Sequence, residues 1–196
     1  MNMHSRFPPK IIALIFAFLP VFSWADADEH RHQEAHVHGL AELTMAQDGN
    51  TLELELESPA VNIVGFEHKA STPEQIHTVE RAKAVLESPQ TLLVFSGTSC
   101  ELKQAVVDVS ALMGSDEDGH AHHDNESEKH DEHHHEHSEI TAHYRFECRQ
   151  GSQLTSLSVE FFKHFPGIEK LHVMWVTDTQ QGAAELTAQS RNIRLR

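Results

Sequence analysis

Residues 115–139 read SDEDGHAHHDNESEKHDEHHHEHSE, with eight histidines, ten carboxylates and a single apolar side chain, Ala121. Burying that many polar and charged groups without partners costs far more than their packing could return. The composition also cannot gather enough apolar surface to offset the entropy of ordering. Whatever the chain folds into must let this stretch leave the domain as a long disordered histidine-rich loop and then return. On its two sides the pattern is that of strands. Ala105 to Val109 is an apolar, β-branched run, and Ile140, Ala142, Tyr144, Phe146 and Cys148 alternate with Thr141, His143, Arg145 and Glu147. Period-two alternation marks half-buried strands, so the insert takes the place of an ordinary hairpin loop.

The rest of the chain supplies more strands and one clear helix. Order is expected from His36, in the run HVHGLAELTM, and Asp48-Gly49-Asn50 is a turn. Thr51 to Glu57 then alternates strictly, with Leu52, Leu54 and Leu56 on one face and Glu53, Glu55 and Glu57 on the other. Two such runs around Asp-Gly predict an antiparallel hairpin. Residues 60–68 form an apolar connector. Thr72, Pro73 and Gln75 supply a cap, a first-turn proline and a capping-box partner for a helix that aligns Ile76, Val79, Ala82 and Leu86. Strands are expected over Thr91–Phe95, Leu154–Phe162, Leu171–Thr177 and Ala184–Ala188. The expected fold is α+β and mainly antiparallel β, a single sheet-rich domain over residues 36–196 with one main helix.

Arg6 and Lys10 precede about a dozen apolar residues ending at Phe22, and Ser23-Trp24-Ala25 follows. That is the layout of a secretory signal peptide over residues 1–25. As a helix the run would reach roughly 18 Å, too short for the roughly 30 Å of a bilayer core. Residues 26–35 then read as a flexible mature N-terminus. Loss of the leader takes the formal charge from −15 to −17. Such a chain repels nucleic acid and anionic lipid and attracts cations. No other segment is apolar enough to insert in a membrane. The two cysteines, Cys100 and Cys148, most simply form one disulfide in an oxidising compartment, with thiolate metal ligation as the alternative. The bridge would close a loop of about 49 residues containing the insert, and is expected near the insert's neck.

The histidines point to metal. In the insert they stand at His120, His122, His123, His130, His133, His134, His135 and His137. Neutral imidazole suits divalent zinc, copper and nickel, and spacings of one to three residues let several rings reach one ion. The interleaved carboxylates favour imidazolium, so binding weakens as pH falls. Such a loop collects several labile ions and selects poorly among metals. Extended backbone at residues 36–38 would put His36 and His38 on one face at i and i+2, and His30 and His32 repeat that spacing upstream. His77, His143, His164 and His172 read more simply as ordinary polar positions. A catalytic constellation is missing: the nearest approach to a zinc-protease helix, His32-Gln-Glu34-Ala-His36, has the wrong order. No enzyme activity is expected.

Residues 34–70, EAHVHGLAELTMAQDGNTLELELESPAVNIVGFEHKA, together with FPGIEKLHVMWVTDTQQGAAELTAQSRNIRL near the end, resemble the ZrgA-like family of zinc-regulated periplasmic zinc-binding proteins of Gram-negative bacteria. The resemblance spans essentially the whole chain after the leader, and HVHGLAEL and VGFEH are its more specific parts. It implies a periplasmic zinc-binding accessory protein that captures or buffers Zn2+ and supports its uptake through an ABC importer, with the importer's solute-binding subunit as a partner. The family motif falls on His36, His38, Glu67 and His68, with the histidine cluster as a flexible metal-binding region. Two competing readings remain: the solute-binding subunit itself, and a copper- or nickel-sequestering sponge.

Overall fold

A computed structural model of the chain describes residues 37–113 and 138–195. Strands β1 (Leu40–Asp48) and β2 (Thr51–Pro59) form the expected hairpin, with Leu43 opposite Leu56 and Met45 opposite Leu54. Leu52, Leu54 and Leu56 are all buried, as the alternation requires. The first strand nevertheless starts four residues later than the sequence suggested. Leu40 donates its N–H to the Val37 carbonyl and Gly39 has a φ of 85°, so a turn, not extended chain, precedes β1. His38 lies in that turn and not in β1, and His36, with which it was expected to align, is outside the described residues.

The connector after β2 is helical at its start, forming α1 (Ala60–Val64), and α2 (Pro73–Leu86) follows with its capping box complete between Thr72 and Gln75. Val79, Ala82 and Leu86 of α2 enter the core, while Ile76 at the first turn stays 36% exposed. Next come β3 (Leu93–Ser96), β4 (Cys100–Asp108) and β5 (Glu139–Cys148), then β6 (Ser156–Val159) and α3 (Phe161–His164). The final strands are β7 (Lys170–Val176), β8 (Gln181–Leu186) and β9 (Asn192–Arg194). Two sequence expectations change here. Phe161 and Phe162 turn into α3 instead of continuing the strand, and β9 carries too short a signal to be read. Thr91 belongs to a 3-10 turn, which delays β3.

Six strands form one sheet in the order β4-β5-β2-β1-β7-β8, and β3-β6-β9 form a smaller one. All pairings are antiparallel except β1 with β7, which the long return through β3 to β6 makes possible. The inner face of the larger sheet joins the smaller sheet and α2 in one hydrophobic core that includes Leu43, Leu56, Tyr144, Phe146, Leu157 and Leu86. Phe95 of β3 meets Phe146 of β5 edge to face at 5.0 Å, a direct link between the two sheets. Tyr144 lies wholly in this core, where burial alone pushes its hydroxyl pKa far above the ordinary value. Among the described residues no helix is long and apolar enough to cross a membrane.

β4 and β5 are antiparallel neighbours, so the insert does occupy the position of a hairpin loop. Its boundary needs adjustment: Glu139 opens β5 opposite Pro59 and so belongs to the sheet, and Ser138 just before it is buried. The disulfide between Cys100 and Cys148 is present, but not at the neck. It joins the start of β4 to the end of β5, at the far end of the hairpin from the insert. Hydrophobic anchors hold the neck instead, with Val107, Val109, Leu112 and Ile140 all buried beside it.

Replacing both cysteines by alanine is expected to cost roughly 4 kcal/mol on the chain-entropy model, read as a lower urea midpoint. Hydrogen exchange at the Ala60 and Ala70 amides, at the opposite end, stays as slow as in the wild type relative to global unfolding.

Candidate metal centre

At the end of the large sheet from which the insert departs, one buried amide organises the backbone. Asn62 of α1 is 4% exposed. Its Oδ1 accepts the Gly39 N–H at 2.8 Å, and its Nδ2 donates to the Leu40 carbonyl at 2.8 Å and to Ser58 Oγ at 3.3 Å. The Gly39 carbonyl in turn accepts the N–H groups of Glu169 and Lys170 at 2.8 and 2.9 Å. The turn before β1 is thus locked between α1 and the start of β7. Gly39 has to be glycine here: its φ is positive, and a Cβ would stand 3.2 Å from the Glu169 carboxyl group. At Gly167 a Cβ would lie 2.5 Å from the Asn62 backbone carbonyl oxygen, so the approach to β7 is closer still.

That turn presents His38. Its Nε2 lies 3.2 Å from Glu67 Oε1, with the His38 side chain 63% exposed and Glu67 only 18% exposed. Glu67 follows α1, which ends at the left-handed Gly65. A half-sheltered carboxylate and an open imidazole provide two donors of the kind that divalent zinc takes.

His68 is next in the chain and its ring is oriented by a defined set of contacts. It stacks on Phe66 with centroids 5.0 Å apart and rings 21° from parallel. The Gln75 Oε1 atom accepts the backbone N–H groups of Ser71 and Thr72, which fixes the amide so that Nε2 faces His68. That Nε2 donates towards His68 Nε2 at 3.5 Å, and His68 Nδ1 lies 3.0 Å from the Lys69 carbonyl. A donating Nδ1 and a lone pair on Nε2 satisfy both contacts. This is the tautomer that a metal-binding imidazole requires when its other nitrogen is held by a carbonyl.

The segment carrying Glu67 and His68 is also tied to both roots of the insert. The Ala60 N–H bonds to the Ser138 carbonyl, just after the insert, and the Ala70 N–H bonds to the Leu112 carbonyl, just before it, each at 2.8 Å. Residues 60–70 therefore bridge the neck. Among the described residues no three His, Cys, Asp or Glu side chains converge on a point able to hold an ion. The ordered part is a pair, His38 with Glu67, and His68 follows it in the chain. The other expected ligands, His30, His32, His36, His120, His122, His123, His130, His133, His134, His135 and His137, lie outside the described residues.

Other histidines are placed as polar surface groups. On the solvent face of the large sheet, His143 faces Glu55 at 3.5 Å and His172 faces Glu185 at 3.2 Å. Lys170 beside Glu185, together with His172, holds that carboxyl below its usual range. A shallow groove of about 750 Å³ crosses this face, lined by Thr44, Ala46, Glu55, His143, Met174 and Val176 among others. His77 and His164 are exposed. Glu57 sits on the same face among other carboxylates. Partial burial and then the nearby Glu139, Glu55 and Glu42 push its pKa up.

His38, Glu67 and His68 thus lie on segments tied to the insert's roots. The family model described as ZrgA family zinc uptake protein matches residues 35–195, and the chain belongs to that family. A search of curated proteins finds no match to the sequence. What sequence reading missed was Asn62. Its signal was a lone amide in the apolar run Ala60-Val-Asn-Ile-Val64, which demands a partner once buried.

Two outcomes are expected. Asn62→Ala strands the Gly39 N–H and the Leu40 carbonyl, so stability falls by about 1–3 kcal/mol. Zinc-dependent NMR shifts of the His38 ring weaken as well, although Asn62 is not a ligand. For Glu57 the folded pKa stands above the unfolded one, so ionisation of this group opposes folding. The stability tied to its neutral form is present at low pH and lost as pH rises through the folded value. Glu57→Gln should therefore raise the urea midpoint at neutral pH, a gain that vanishes below about pH 4, where the carboxyl is protonated in both states.

Proposed function

We infer that the protein is a periplasmic zinc-binding accessory protein that captures or buffers Zn2+ and supports its uptake through an ABC importer. It acts by binding, not by catalysis. Membership in a zinc uptake family supports the cargo. The observation that supports the mechanism is the bridge formed by residues 60–70, whose end residues bond to the two roots of the histidine-rich insert and which carries Glu67, 3.2 Å from His38.

In this reading the acidic, imidazole-rich insert attracts Zn2+ and binds several ions through labile donors. Neutral imidazoles exchange readily, so an ion can pass from ring to ring without a stage of full hydration. The His38–Glu67 pair supplies an ordered landing point where the ion keeps open coordination positions. Those positions admit donors from a receiver such as the solute-binding subunit of an importer. Glu67, sheltered from water, strengthens the electrostatic hold, and the exposed His38 keeps the ion within reach. The leader-like N-terminus and the acidic surface fit an exported protein.

Equilibrium dialysis with metal analysis tests this. The full chain should bind several zinc ions. Deleting residues 116–137, which keeps Ser138 and its bond to Ala60, should remove most of them and leave an ordered site. Adding His38→Ala to that deletion should then abolish the remainder. A stoichiometry of one ion or fewer, unaltered by the deletion, overturns the collector mechanism.

A further inference from the structure

The two edges of the six-stranded sheet are β4 and β8, and they are not alike. β4 has the features that keep an edge from pairing. Its register shifts at a bulge between Leu102 and Gln104, Lys103 sits in that bulge with Glu101 at 2.8 Å, and the disulfide ties its first residue inward. β8, Gln181-Gly-Ala-Ala-Glu-Leu186, is regular, lacks proline and lysine, and has three small residues at its centre. Its one charge, Glu185, is already engaged by Lys170 and His172.

The direction of its backbone groups follows from the turn that precedes it. Thr177 donates its N–H to the Gln180 carbonyl at 2.7 Å, closing the β7–β8 hairpin. Alternation from that pair aims the N–H and C=O of Gly182, Ala184 and Leu186 at β7. Those of Gln181, Ala183 and Glu185 therefore point away from the sheet, and among the described residues none of them has a hydrogen-bonding partner.

We propose that β8 is an association edge at which a second copy of this chain adds its own β8 in antiparallel register, centred on Ala183. A two-fold axis there makes the edge complementary to itself. Ala183 meets its own counterpart, where a small side chain permits close approach, and Gln181 faces Glu185 of the other copy, an amide donor opposite a carboxylate. All three outward residues then both donate and accept. A chain with a formal charge of −15 repels its own kind over most of its surface. The edge adds no local repulsion to that cost, because no two unpaired carboxylates are brought opposite each other. A strand-edge contact lies below the roughly 1,000 Å² of a stable interface, so the dimer is transient and strengthens as salt screens the overall repulsion. The insert's roots lie on the β4–β5 side of the sheet, at the edge opposite β8.

Sedimentation velocity over a wide concentration range tests this, performed in a chelator so that ions bridging histidine-rich stretches cannot imitate strand pairing. A monomer–dimer equilibrium is expected, with more dimer at higher salt. Ala183→Pro removes the central outward N–H without breaking a bond within the chain. Ala183→Lys keeps the backbone groups but sets two cations against each other at the axis. Each variant should sediment as monomer at every concentration with the wild-type urea midpoint, and the lysine variant decides the matter if the proline variant misfolds. A wild-type protein that stays monomeric throughout, a dimer that persists in Ala183→Lys, or a dimer seen only with zinc present overturns the proposal.

Discussion

The burial of Leu52, Leu54 and Leu56 on one face of β2 is the constraint from which the rest of the sheet follows. Each is at most 2% exposed, and each such side chain contributes about 1.5–3 kcal/mol when removed from water. To cover that face the chain must bring up the smaller sheet and α2. To satisfy both edges of β2 it must pair β1 on one side and β5 on the other. Because β5 is recruited as the second neighbour, Ser138, the root just before it, lies at the rim of the sheet. The position of the insert's roots is thus a consequence of core packing elsewhere.

That rim is where the chemistry gathers. Asn62, with its side chain satisfied by Gly39, Leu40 and Ser58, fixes the turn that holds His38. The same short helix leads into Glu67. Its two flanking amides, at Ala60 and Ala70, fasten the segment to the insert's roots. A family of zinc uptake proteins needs donors that take an ion and give it up again. On the proposed reading, a pair of donors such as His38 and Glu67 suits that requirement better than a closed four-ligand cage, which holds its ion too firmly to pass it on.

Much of the fold was legible because period-two alternation survives wherever one face is buried. β2, β5 and α2 were read from their leucines, aromatics and capping residues, and they occupy nearly the expected ranges. The failures have local causes. The run around His38 looked extended, but positive φ at Gly39 and the bond from Leu40 to Val37 put His38 in a turn. Phe161 and Phe162 read as strand because aromatic residues favour it, yet the core wanted both on the same side, which a helical turn provides and a strand does not. The disulfide pairing was read correctly, and its location was not. Sequence separation fixes the size of the covalent loop, but only the β4–β5 register shows which end of the hairpin the bridge closes.

By itself the sequence determined that the chain is sheet-rich, that residues 115–139 are too polar for any core, and that imidazole and carboxylate donors dominate its chemistry. The family resemblance carried by HVHGLAEL and VGFEH was equally readable. Only the tertiary structure decided that these two motifs meet, His38 on Glu67, and that the segment between Ala60 and Ala70 spans the insert's neck. The physical reason is that alternation and capping are short-range signals. The meeting of His38 and Glu67 depends instead on a buried amide, two left-handed glycines and a parallel pairing of β1 with β7, none of which leaves a periodic trace in the sequence.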